Sequence, residues 1–202
     1  MQINNIVFDI GNVMVVYNPS QVVTRLFPNH KDTQLLTQQI FKSQIWLDLN
    51  LGKCTEQEAN IQYNAWLGIE IAQLELLMQK IKESLVPVAG SFELLIKLHK
   101  ANIKLYALTD NVQEIMVHLR NRYNFWNYFS GVVVSAEVKA LKPAKEIYLH
   151  LLDSYRLNPQ DVVFIDDLPR NIEGAKALGM HGIVFKDALS CESELKNLGI
   201  KF

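Results

Sequence analysis

Asn5-Ile6-Val7-Phe8-Asp9-Ile10-Gly11-Asn12-Val13 decides the reading of the fold. Its first half is a short run of β-branched and aromatic side chains without polar alternation, as a strand buried on both faces requires. The run ends on a carboxylate, and Gly11 and Asn12 then favour a turn. Ile103–Thr109, leading into Asp110-Asn111, and Val162–Asp166, leading into Asp167, repeat the pattern, and Val132–Ser135 and Gly182–Phe185 complete the predicted strands. Between them apolar residues recur at helical spacing: Phe92, Leu95 and Ile96; Ile115 and Leu119; Ile147, Leu151 and Leu152; Ile172, Ala175 and Leu178. Strands alternating with helices over residues 1–12 and 88–202 predict an α/β fold, a doubly wound parallel sheet covered on both faces.

Residues 18–85 break the alternation. Gln34–Phe41, Glu56–Trp66 and Ile71–Ile81 carry helical periodicity, and Thr55 with Glu58 makes a capping box. The expected organisation is an α/β core of residues 1–17 and 86–202 with an α-helical cap, 18–85, inserted after the first strand. The flanks around 14–18 and 84–88 are expected to act as hinges. Trp46, Tyr63 and Trp66 read as packing of the insert, and Trp46–Gly52 as a polar, glycine-containing break that reaches the rim of the sheet.

The 202 residues, 49% hydrophobic, suffice for one well-filled core and a modest insert. Twenty basic side chains against 21 acidic ones leave a net charge of −1, no global field for a polyanion. Arg120 with Arg122 and Lys139, Lys142 and Lys145 are too short as groups to track a phosphate backbone, so neither nucleic acid nor a membrane is expected as a partner. The start lacks a cationic, then apolar, leader, and the expected location is the cytoplasm. Cys54 and Cys191 are far apart, and the five histidines show no ligand spacing, so neither a disulfide nor a structural zinc is expected.

In an open α/β sheet, ligands bind beyond the carboxyl ends of the strands, where strand order reverses. The predicted strands deliver Asp9, Thr109-Asp110-Asn111, Lys142 and Asp166-Asp167 to that rim. Carboxylates, a hydroxyl and a lysine together suit a hard cation and a phosphoryl group, since the first needs oxygen ligands and the second needs donors and a positive charge.

Four stretches carry a resemblance: Phe8-Asp9-Ile10-Gly11-Asn12-Val13; Leu108-Thr109-Asp110-Asn111; Leu141-Lys142-Pro143 with Ile147-Tyr148; and Phe164-Ile165-Asp166-Asp167 running on to Ala175. In that order they resemble the four motifs of the haloacid dehalogenase superfamily of hydrolases, and the insert is similar in place and size to that family's first type of cap. The branch it looks most like holds small sugar-phosphate phosphatases and the N-terminal phosphatase of epoxide hydrolases. The resemblance implies a Mg²⁺-dependent phosphatase, working as a monomer or homodimer on a small phosphorylated metabolite of the sugar-phosphate kind. In such an enzyme Asp9 is the nucleophile that becomes an aspartyl-phosphate. Mg²⁺ is held by Asp9, the Gly11 carbonyl and Asp167, with Asp166 a ligand directly or through water. Thr109 and the Asp110 N–H bind the phosphoryl oxygens, and Lys142 neutralises both nucleophile and substrate.

The chain departs from that pattern at Gly11, where most phosphatases of the family carry a second Asp that protonates the leaving oxygen. The next carboxylate after Asp9 is Asp32. An enzyme without that acid is expected to prefer leaving groups that depart unprotonated, such as anomeric, acyl or aryl phosphates. Two alternatives stand beside it. A metal-free dehalogenase also lacks the second Asp, but Asp166-Asp167 would then repel one another beside the nucleophile. A binding or regulatory module would be expected to have lost ligands that are all present. Asp110 stands where the family more often has Asn, and its side chain is expected to turn away from the phosphate, leaving only the N–H in use.

Overall fold

Five short apolar strands can bury both faces only by pairing with one another and receiving helices on each side. The computed structural model, which describes residues 3–202, shows that arrangement. Strands β1 (Asn5–Phe8), β2 (Lys104–Thr109), β3 (Gly131–Val134), β4 (Val162–Asp166) and β5 (His181–Val184) form one sheet in the order β3-β2-β1-β4-β5, parallel throughout. All five predicted strands are present, their ends shifted by one residue at most places. The chain winds from β1 outward to β3, then crosses to β4 and β5, so strand order reverses at β1. Phe8 pairs with Ala107 on one side and Ile165 on the other, and the Asp9 N–H donates to the Ile165 carbonyl at 2.8 Å. Asp9 is thereby held at the switch point between the ends of β2 and β4.

The two faces are separate cores. Ile6, Phe8, Leu105 and Ile165 pack with Leu95 and Leu195, whereas Val7, Leu108 and Phe164 pack with Ile147, Tyr148 and Ile172. Neighbouring residues of one strand thus serve opposite faces. Helices α6 (Ser91–Lys100), α7 (Gln113–Arg122) and α11 (Ala188–Asn197) belong to the first side, and α9 (Lys145–Tyr155) and α10 (Pro169–Lys176) to the second. A single turn, α8 (Ser135–Val138), follows β3.

Between β1 and α6 run five helices: α1 (Pro19–Leu26), α2 (Thr33–Phe41), α3 (Gln44–Asn50), α4 (Glu56–Leu67) and α5 (Ile71–Ser84). Three were expected; α1 and α3 were not. Each of these two starts on a side-chain cap, Asn18 Oδ1 accepting from the Gln21 N–H at 3.1 Å and Ser43 Oγ from the Trp46 N–H at 3.1 Å. The stretch expected to be an irregular break, Trp46–Gly52, is therefore mostly helix, with the glycine just beyond it. The capping box of α4 is present, Thr55 and Glu58 exchanging bonds of 3.2 and 2.8 Å. Tyr63 is fully buried, as expected of insert packing, but Trp66 is 54% exposed, standing in the last turn of α4 just before Gly68 ends it.

The two passages between sheet and insert lie side by side. Val16 donates to the Val86 carbonyl at 2.8 Å and Val88 to Met14 at 3.0 Å. The insert also touches the sheet domain through Ser135 Oγ, which donates to the Asn50 carbonyl at 2.7 Å, and through the Tyr123 hydroxyl on the Leu85 carbonyl at 2.7 Å. Among the described residues no helix is long and apolar enough to cross a membrane.

Candidate active site

Asp9 is the first residue past the central strand, and its Oδ1 accepts from the Ile10 N–H at 2.7 Å, which fixes the carboxylate at the strand end. Lys142 arrives from beyond β3, almost fully buried. Its Nζ lies 2.9 Å from Asp9 Oδ1 and 2.7 Å from Asp166 Oδ2, and donates to the Leu108 carbonyl at 3.3 Å. A lysine so deeply buried persists only when paired and hydrogen-bonded, and here three oxygens surround it.

Asp166, at the end of β4, is completely enclosed. Oδ1 accepts from the Leu168 N–H at 2.8 Å and Asn171 Nδ2 at 3.0 Å, while Oδ2 accepts from Lys142 and again from Asn171 at 3.0 Å. Two donors on each oxygen fill the usual lone-pair directions. Asp167 is half-buried and faces open space, its Oδ2 accepting from Asn12 Nδ2 at 3.1 Å. One oxygen from each of Asp9, Asp166 and Asp167 falls within 4.8 Å of the others. Asp110 turns its carboxylate onto the Lys142 backbone N–H at 3.0 Å. Its own N–H and that of Gly11 donate to no acceptor among the described residues. Thr109 is buried at the end of β2, beneath the rim.

Above these groups opens a cavity of about 340 Å³. Asp9, Gly11, Asp110, Lys142, Asp167 and Asn171 line its floor; Phe41, Trp46, Leu47, Leu85, Ile115 and Leu119 line the side formed by the insert and α7. The cavity collects the predicted residues except Thr109 and Asp166, which lie behind its wall. Sequence reasoning did not single out Asn171 or Asn12, although both lie inside motifs quoted above. Nor did it single out Ser135, whose Oγ accepts from the Asn111 N–H at 2.9 Å, a partner visible only once β3 stands beside β2.

The electrostatics are those of a site short of positive charge. Burial pushes the Asp9 carboxyl up to about 8, with Asp166 adding to the rise and Lys142 opposing it. Burial likewise raises Asp110 and Asp167. It pulls the Lys142 ammonium down, but Asp9, Asp166 and Asp110 together outweigh that and hold it above its usual range. Asp9, Asp166 and Asp167, one oxygen of each within 4.8 Å of the others, make a donor set of oxygen atoms alone, which a small divalent cation fits.

The Asp9 carboxylate beside a buried lysine thus stands at the switch point of a parallel sheet, where open α/β folds bind their ligands. Residues 32–185 match the family of haloacid dehalogenase-like hydrolases, and the chain belongs to that family. It is 27% identical to a sesquiterpene phosphatase of Aspergillus oryzae, over 95% of this chain and 94% of the relative. To a chloroplast flavin mononucleotide hydrolase of Arabidopsis thaliana it is 28% identical over 77% of this chain, which spans 62% of that protein. Among solved structures, a family enzyme of Bacteroides thetaiotaomicron in complex with magnesium and inorganic phosphate superposes with a TM-score of 0.77 at 21% identity, covering 92% of this chain and 95% of the other. At that identity the likeness shows the fold.

Proposed function

We propose that this protein is a Mg²⁺-dependent phosphatase that hydrolyses a small phosphorylated metabolite through a phosphoryl group carried on Asp9. The observation that carries the reading is the Asp9 carboxylate 2.9 Å from a buried lysine, at the floor of a cavity that also presents Asp167 and the two unbonded N–H groups of Gly11 and Asp110. The two relatives named above act, by their names, on different phosphate esters; the phosphoryl group is what those substrates share. The sugar phosphate expected from the sequence stands as one arm of a substrate panel.

Asp9, Asp167 and the Gly11 carbonyl would hold Mg²⁺, with Asp166, its oxygens already engaged, reaching the ion through water. When bound, the ion supplies the missing positive charge and polarises the phosphoryl oxygens. Lys142 neutralises Asp9 and the incoming phosphoryl oxygens, and the Gly11 and Asp110 N–H groups orient those oxygens. The free Asp9 oxygen attacks phosphorus, a new O–P bond forms, and the bond to the alcohol oxygen breaks with its electron pair leaving on that oxygen. With glycine at position 11, the departing oxygen takes its proton from water. A water molecule then attacks phosphorus, the Asp9–phosphorus bond breaks, and inorganic phosphate leaves with the carboxylate restored. Residues 18–85 act as a cap on the core of 1–17 and 86–202, shielding the intermediate from premature hydrolysis. The metal-free dehalogenase reading leaves Asp9, Asp166 and Asp167 clustered, with Lys142 bridging the first two and no cation paired with Asp167 among the described residues.

Turnover of p-nitrophenyl phosphate, with and without Mg²⁺, beside Asp9→Asn, tests the proposal. Activity should require both the metal and Asp9. Phosphate release that survives a chelator or the Asp9→Asn substitution, or halide release from a 2-haloacid without metal, would overturn it.

A further inference from the structure

The cavity is two-natured. Its polar atoms lie on the floor, where the phosphoryl group belongs, while the opposite side is Phe41, Trp46, Leu47, Leu85, Ile115 and Leu119. Phe41 and Trp46 form an edge-to-face pair at 4.8 Å, a rigid aromatic corner. The two amides next to this wall are each engaged at one end, Asn50 Nδ2 donating to the Trp46 carbonyl at 2.8 Å and Asn111 Oδ1 accepting from the Val112 N–H at 3.0 Å. Tyr17 lines the cavity too, with its hydroxyl buried and without a hydrogen-bond partner among the described residues. Arg170 is exposed at the rim.

A sugar hydroxyl set against these six apolar side chains would find no partner on them, and an unpaired buried polar group costs more than a hydrogen bond returns. An apolar group there gains what the wall gains, removal from water. At about 340 Å³ the space lies near the small end of ligand sites, roughly 300–1,000 Å³, so one compact group fills it.

We infer that the substrate is the monophosphate ester of a compact apolar alcohol, aryl in kind, whose carbon skeleton packs against Trp46, Phe41 and the leucines of the wall. The inference rests on the phosphatase reading of the floor and narrows its substrate class. It makes Trp46 and Leu47, both from α3, specificity-determining contacts.

The test uses competitive inhibition of p-nitrophenyl phosphate turnover by methyl-, propyl- and butylphosphonate, a series that carries no leaving group. Ki should fall about fourfold with each methylene that enters the wall, so that butylphosphonate binds about sixtyfold tighter than methylphosphonate. In turnover, butyl phosphate should exceed glucose 6-phosphate in kcat/KM, both leaving groups being primary alcohols. Leu47→Asn changes a side chain that is 43% exposed, and Trp46→Gln one that is partly buried; each should shrink the butyl-to-methyl ratio of Ki about tenfold. A Ki independent of chain length, or glucose 6-phosphate as the better substrate, would overturn the inference while leaving the phosphatase reading intact. Absence of turnover with every ester and of inhibition with every phosphonate would overturn both.

Discussion

Gly11→Asp restores the carboxyl that the family's phosphatases usually carry two residues beyond the nucleophile, and the structure allows the substitution. A Cβ at position 11 would meet only Tyr17 Cβ, at 3.9 Å, an ordinary contact, and the glycine does not sit in the left-handed region. The backbone cost is accordingly small, and loss of glycine's freedom in the unfolded chain contributes about 0.4–1 kcal/mol of stability. The new carboxyl would stand on a cavity where burial already raises Asp9, Asp110 and Asp167, so its pKa is expected to rise as well, which suits a general acid. General acid catalysis is worth about 10²–10⁴ in rate, or roughly 3–5 kcal/mol of barrier. The whole of that gain should fall on substrates whose alcohol must be protonated as it leaves. Nitrophenolate departs as an anion, and its ester should be turned over at nearly the same rate by both forms. The assay is kcat/KM against leaving-group pKa across aryl and alkyl phosphates at saturating Mg²⁺: steep for the wild-type protein, shallow for Gly11→Asp. A wild-type line that is already flat would show that an acid is supplied from elsewhere, and a variant that gains equally on aryl and alkyl esters would refute the assignment of the missing function to position 11.

The remaining expectations concern the supports of the site. Asp166→Asn removes the charge that faces Lys142 at 2.7 Å in a fully enclosed position, and urea unfolding should show a loss of about 3–5 kcal/mol; a loss under about 1 kcal/mol would mean that Asp9 alone suffices for the lysine. Gly52→Ala drives a Cβ into the Ala136 carbonyl oxygen, whereas Gly68→Ala, at a similar φ of +69° against +61°, meets nothing within 4 Å. Both carry the left-handed penalty of about 1 kcal/mol, and the excess destabilisation of Gly52→Ala in thermal melts, with a raised KM, reports the seat of α3 on the core. Equal melts for the two would mean that this seat gives way freely. Saturating Mg²⁺ at about one hundred times its Kd should stabilise the protein by about 2.7 kcal/mol in chelator-controlled melts, and Asp167→Asn should abolish the shift; a shift that survives would place the ion elsewhere.

The sheet was legible because its strands are buried on both faces, and Ile6-Val7-Phe8 or Val162-Val163-Phe164 admit no other reading at that length. The insert was legible only where periodicity ran long enough. Helix α3 spans seven residues, of which Leu47 is exposed and Asn50 is buried, so apolar spacing misleads; its signal is the Ser43 cap. Helix α1 begins at Asn18-Pro19, a cap followed by a residue suited to the first turn, which reads equally as a plain loop signal when no long periodic run follows. Trp66 shows the same limit from the other side: helical spacing gives the direction of a side chain and not whether anything stands opposite.

The site was legible as a set of strand ends and illegible as a division of labour. Asp166 and Asp167 are adjacent and chemically identical, and in the sequence either one serves as a metal ligand. A strand turns successive side chains to opposite sides, so one of the pair must point into the sheet's second core and the other toward the rim. Asp166 takes the inward place, where it meets Lys142 from beyond β3 and Asn171 from the first turn of α10, both invisible as partners until β4 is set beside β1. Its carboxylate is thus used up in holding the lysine that holds Asp9. Asp167 keeps an oxygen without a side-chain donor among the described residues, Asn12 engaging the other. The asymmetry makes a prediction that separates the two. Asp166→Asn should lower stability and misplace Lys142, reducing kcat with the Mg²⁺ requirement retained at similar concentrations, while Asp167→Asn should leave stability nearly intact and raise the Mg²⁺ concentration needed for half-maximal activity by at least tenfold. Matching metal dependence in the two variants would refute the division drawn from their hydrogen bonds.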